Sequence, residues 1–131
     1  MEHEKFHHTV KTEKSYQQVI SDLDASLKED KFGVQWSFAV HEKLAEKGYP
    51  INKEITILEV CNPKEAAHVL ELDPIISYFL PCKIVVTNDE SGVSVGMVRP
   101  SFMLTVMDNP DLTEFAQQVE NQLIAIIERA V

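Results

Sequence analysis

The chain has 131 residues, and 12 Lys+Arg against 21 Asp+Glu set a formal charge of −9. That length suits a single domain, 1–131, able to bury about two-thirds of its unfolded surface, and an apolar content of 44% argues against disorder. No stretch approaches the ~18 uncharged apolar residues of a membrane span, and the acidic balance argues against nucleic acid, whose phosphates call for clustered Lys and Arg.

Met1-Glu2-His3-Glu4-Lys5 has no apolar run and no cleavage-type site, so a signal peptide is not expected and the cytoplasm is the expected compartment. Phe6, His8 and Val10 alternate with Lys5, His7 and Thr9, which predicts a short first strand. Tyr16, Val19, Ile20, Leu23 and Leu27 then form one apolar stripe, predicting a helix over 15–31. Ser15 with Gln18 fits a capping box, and Gly33 is the expected residue just past the helix end. Val34, Trp36, Phe38 and Val40 alternate with Gln35, Ser37 and Ala39, as in a strand with one greasy and one polar face.

His41 to Lys47 reads as a short helix closed by Gly48, and the next strand runs from about Ile55 to Cys61. In it Leu58 and Val60 share one face, and Ile57, Glu59 and Cys61 the other. Asn62-Pro63 starts a helix to about Leu72, because Asn caps well and Pro at the first helical position forfeits no useful hydrogen bond. Ile75 to Leu80 is too apolar to lie loose and predicts a tucked helical turn. Cys82–Thr87 and Val93–Met97 form a hairpin about the Asn88–Gly92 turn. Residues 101–107 fit either a strand or a helical turn. After Asn109-Pro110, the closing helix carries Leu112, Phe115, Ala116, Val119, Leu123, Ile126 and Ile127 at helical spacing.

Helices at both ends and strands in the middle predict an α+β fold, with two long helices covering one face of an antiparallel sheet. The other face is left open, to be solvated or covered by a second subunit. Gln35, Ser37, Glu59, Lys83, Thr87 and Ser94 are its expected residues.

Leu58-Glu59-Val60-Cys61-Asn62-Pro63 and Leu80-Pro81-Cys82-Lys83 resemble motifs of the bacterial and archaeal domain of unknown function family 302. Val40–Gly48 resembles the family's segment before the first motif, and Asn109-Pro110 with the closing helix resembles its C-terminal part. Where the family often carries a polar amide before Glu42-Lys43, this chain has His41. The resemblance implies a TBP-like α+β fold, a curved antiparallel sheet with two main helices, and a homodimer. It favours a helical turn over 101–107 and draws attention to Glu42 and Lys43 as pocket-lip or dimer residues. It implies no activity.

The candidate site is the strand end that carries Cys61 and Cys82. If the two strands are antiparallel neighbours, both cysteines lie at the same end of the sheet, with Glu59 one pleat away and the Asn62-Pro63 helix start beside them. A helix N-terminus stabilises a thiolate, the reactive and metal-binding form. Free cysteines are also commonly small buried apolar residues. Zinc needs roughly four ligands, and no CxxC or HxxxH spacing supplies the others.

His7 and His8 point to opposite faces if the strand holds, and His3 with His7 would bind metal only adventitiously. His68 reads as a surface or rim residue. Glu42, Lys43, Glu46 and Lys47 read as a solvated helix face. No Gly-rich phosphate loop and no GxSxG elbow is present.

The leading reading is a dimeric binding module whose ligand, a small molecule or another protein, is held by Glu59, Cys61, Asn62, Pro81 and Cys82, with Glu42 as a further candidate. One alternative is a thiol-redox or metal-dependent enzyme using Cys61 and Cys82. The other is a purely structural dimerisation domain. No cofactor and no catalytic residue is named by the sequence.

Overall fold

The computed structural model describes residues 6–131. The readings made on Met1–Lys5, the His3–His7 pair included, lie outside the described residues. In chain order the elements are β1 (His7–Thr12), α1 (Tyr16–Glu29), β2 (Gly33–Ala39), α2 (Val40–Glu46), β3 (Glu54–Cys61) and α3 (Pro63–Leu72). A 3-10 turn over Pro74–Phe79 leads to β4 (Cys82–Asp89) and β5 (Gly92–Val98). The short α4 (Pro100–Met103), a second 3-10 turn (Leu104–Met107) and α5 (Pro110–Ala130) complete the chain.

The five strands form one antiparallel sheet in the order β1-β5-β4-β3-β2. The α+β architecture follows from the apolar stripes. Val19, Leu23 and Leu27 of α1 and Val119, Leu123, Ile126 and Ile127 of α5 pack on one sheet face, against Leu58, Val60, Ile84, Val86, Val95 and Met97. A satellite core of Val69, Ile76, Leu104, Leu112 and Ala116 lies beside it. The first turns of α5 therefore serve one core and its remainder the other. The 101–107 stretch is helical, which carries Leu104 into the satellite core.

Local signals explain the boundaries. The Ser15, Asn62 and Asn109 side chains each accept a backbone N–H of the following helix, at Gln18, Glu65 and Asp111. The end of α1 differs from expectation. Lys31, not Gly33, takes the left-handed conformation at φ 65°. The Lys31 and Phe32 N–H groups donate to the Lys28 and Leu27 carbonyls at 3.1 and 3.0 Å. Those two bonds close the Schellman pattern and carry Phe32 into the core, so Gly33 is free to open β2.

The strand β2 also departs from simple alternation. Val34 pairs with Val60, but Trp36 pairs with Glu59, because the register shifts by one residue between them. The extra residue, Gln35, inverts the faces downstream. Trp36 and Phe38 thus join the uncovered face, and Ser37, expected there, shares the side of Leu58. Glu59, Lys83, Thr87 and Ser94 occupy the uncovered face as expected.

Candidate functional site

The antiparallel pairing of β3 and β4 sets Val60 opposite Cys82, so Cys61 and Cys82 lie at one end of the sheet. There the two cores meet and leave an apolar cleft of about 40 Å³. Its sheet side is Phe32, Val60, Cys61 and Cys82, and Asn62, Glu65 and Ala66 at the start of α3 form one wall. Ile76, Phe79, Leu80 and Pro81 form the second wall, after a cis Leu80–Pro81 peptide. Pro100, Met103 and Leu104, with Phe115 and Val119 of α5, complete it. A recess of about 60 Å³ adjoins it along Pro81, Cys82 and Pro100.

Four of the six expected site residues, Cys61, Asn62, Pro81 and Cys82, therefore line one cleft. The other two do not. Glu59 lies on the uncovered face, where its carboxylate accepts from Lys83 Nζ at 2.7 Å. Glu42 belongs to α2 near the opposite end of the sheet, where its charge and that of Glu54 act on Tyr16. Of the other cleft residues, Ile76 reads in the sequence as part of the tucked turn and Phe115 as part of the closing helix's apolar stripe, while Ala66 and Met103 carry no signal there. The run Ile75–Leu80, too apolar for the surface, was the signal for that wall.

The electrostatics of the cleft oppose thiolate chemistry. Both cysteines are free and half-buried. Burial first, and the charge of a Cys61 thiolate second, push the Cys82 thiol up to about 11. Burial also raises Cys61. The expected helix N-terminus effect is outweighed: Asn62 Oδ1 already accepts the Glu65 N–H, and the cleft wall is almost wholly apolar. Both thiols are neutral at pH 7 and behave as small apolar side chains with weak donors. Among the described residues no group of three or more His, Cys, Asp or Glu is placed to hold a metal ion.

Two buried polar clusters brace the surroundings. Glu120, only 4% exposed, accepts the Ser101 N–H at 3.0 Å and the Ser101 hydroxyl through one oxygen, and Arg99 through the other at 3.2 Å. Burial pushes this carboxyl up, but Ser101 and Arg99 outweigh it and hold it below the usual glutamate range. The bonds tether α4, one wall of the cleft, to α5. At the far end of the sheet the Tyr16 hydroxyl bonds Thr56 Oγ1, and His41 Nδ1 accepts the Ile55 N–H at 3.1 Å. Burial raises Tyr16 above its ordinary value, against the Thr56 bond that lowers it, and Glu54 and Glu42 add to the rise.

The histidines take ordinary places. His7 pairs with Val98 on the uncovered face, and His8 pairs with Met97 on the core side. His8 Nε2 lies 3.3 Å from Glu128, outside hydrogen-bond geometry. His68 is exposed on α3.

An antiparallel sheet with two long helices on one face and an apolar cleft at one end defines a small α+β protein. Residues 8–130 match the model of the family described as "Domain of unknown function DUF302", and the chain belongs to that family. A solved structure, "Crystal structure of uncharacterized conserved protein DUF302 from Bacillus stearothermophilus", is 42% identical and superposes with a TM-score of 0.93. The match covers 96% of this chain and 98% of that one. No curated protein matches the chain. No helix of the described residues is long and apolar enough to cross a membrane.

Proposed function

We propose that the protein is a dimeric binding module that holds a small uncharged apolar ligand in the cleft of Cys61, Asn62, Pro81 and Cys82. The observation that carries this reading is the cleft itself, an apolar space between two separately packed cores. Its volume of about 40 Å³ exceeds the ~10–15 Å³ that one water needs, yet its walls offer water few partners. Such spaces accept small hydrocarbons in preference to water. The raised thiols support binding over redox chemistry, because an uncharged SH disturbs an apolar ligand little and attacks slowly.

The dimer is supported by the sheet face that no helix covers, where Trp36 is 51% exposed. The charge of −9 favours a reading without nucleic acid, and two free thiols fit a reducing compartment such as the cytoplasm. Alkylation of Cys82 in the native protein, followed with and without 1-hexanol, tests the reading. A saturable slowing by the alcohol is expected. An unchanged rate up to its solubility limit would contradict it.

A further inference from the structure

The uncovered face of the sheet carries its side chains in two adjoining rows. One row is Phe38, Ile57, Val85 and Gly96, neighbours across β2, β3, β4 and β5. The other begins Trp36, Glu59, Lys83, and Val98 follows one step beyond the Val85–Gly96 pair. The Trp36 and Phe38 rings stack at 4.9 Å, so the aromatic bulk sits at the β2 side. The β5 side is low. Gly96 has no side chain, and a Cβ there would lie 2.6 Å from Thr9 Oγ1, so the short Thr9 side chain leans over the position. Between the two sides, Glu59 and Lys83 pair at 2.7 Å.

We infer that this face is the seam of a two-fold homodimer whose axis lies in the interface plane and runs along the strands between β3 and β4. That operator exchanges β3 with β4 and β2 with β5. It lays Glu59 of one copy over Lys83 of the other, so a side-by-side ion pair becomes a square of alternating charges. It lays Ile57 over Val85, and it brings the Phe38 ring onto the low strip formed by Gly96 and the Thr9 side chain. Charge and shape are then both self-complementary, as an isologous contact requires. Aromatic side chains seated against a flat partner are the usual anchors of such a contact. An exposed apolar sheet face rimmed by polar groups marks an interaction surface.

This inference rests on the dimeric reading above, and a dimer built through another face would leave that reading standing. The test uses two full-length variants, Glu59→Lys and Lys83→Glu, studied alone and mixed by sedimentation equilibrium beside the wild type. Across the proposed seam each variant alone faces like charges in all four positions. The expected result is a wild-type dimer, each variant weakened at least about 30-fold in self-association, and a heterodimer in the mixture within about tenfold of wild type. Restoration by mixing cannot come from charge repulsion within one chain. Dimeric variants, or dissociated variants that do not recombine, would overturn the seam while the dimer stands. A monomeric wild type would overturn both.

Discussion

Val34 and Trp36 lie two residues apart in β2 and face opposite sides of the sheet, Val34 beside Val60 over the core and Trp36 beside Glu59 on the uncovered face. Side chains so spaced normally share a face. The extra residue, Gln35, breaks the alternation and directs two aromatic rings outward. Deleting Gln35 would remove the bulge and leave Trp36 and Phe38 on the uncovered face, opposite Glu59 and Ile57. The deletion is expected to fold with a loss of no more than about 2 kcal/mol in urea unfolding, and failure to fold would contradict the assignment of Gln35 as the extra residue. Gln35→Ala keeps the count and is expected to stay within about 0.5 kcal/mol of wild type.

The end of α1 gives a second expectation. Lys31 pays the left-handed penalty at φ 65° while its side chain points to solvent. Glycine adopts that conformation freely, at a cost in unfolded-state entropy that offsets part of the gain. Lys31→Gly is expected to raise stability by about 0.5–1 kcal/mol in urea unfolding, and a decrease would contradict the Schellman assignment.

Cys82 sets an alkaline limit. Its folded value of about 11 lies above the ~8.5 of an unfolded thiol. A raised value means that the contribution is fully present below the unfolded value and is lost as pH rises to the folded one. Stability is therefore expected to fall by up to about 2 kcal/mol between roughly pH 8.5 and 11, and Cys82→Val should flatten that decline. Thiol alkylation should accelerate about tenfold per pH unit through the same window, since the thiolate is the reacting species.

Glu120 sets the acid limit. Its carboxyl is held below the ordinary range, so its contribution is present above about pH 4.3 and is lost as pH falls through the lowered value. Glu120→Gln keeps the shape but removes the charge that Arg99 and Ser101 share. A loss of about 1–3 kcal/mol at pH 7 is expected, shrinking below pH 4. An equal loss at both pH values would show that the carboxylate charge is not what braces α4.

The elements with strong periodicity were readable from the residues alone. The stripe of α5 and the Asn62-Pro63 start follow from short-range rules, and both hold in the structure. The meander that brings Cys61 and Cys82 together also follows once β3 and β4 are antiparallel. The bulge at Gln35 was not readable, because nothing in Val34-Gln35-Trp36 distinguishes an extra residue from an ordinary pleat. Glu59 joins the candidate site through its nearness to Cys61 in sequence, and Glu42 through the family resemblance. The pleat sends Glu59 to the far face, and the chain carries Glu42 to the other end of the sheet. The cleft depends on how the satellite core docks beside the main one, and that packing is set by contacts between residues far apart in the chain.

The central claim is that the cleft takes a small apolar ligand. The most direct measurement is a titration of 15N-labelled protein with 1-hexanol, followed by amide shifts and repeated on Ala66→Leu, which fills the cleft from α3. Saturable shifts centred on Cys61, Cys82, Ile76 and Leu104 are expected, and their loss in the variant. Shifts that are absent, unsaturable or unchanged by Ala66→Leu would contradict it.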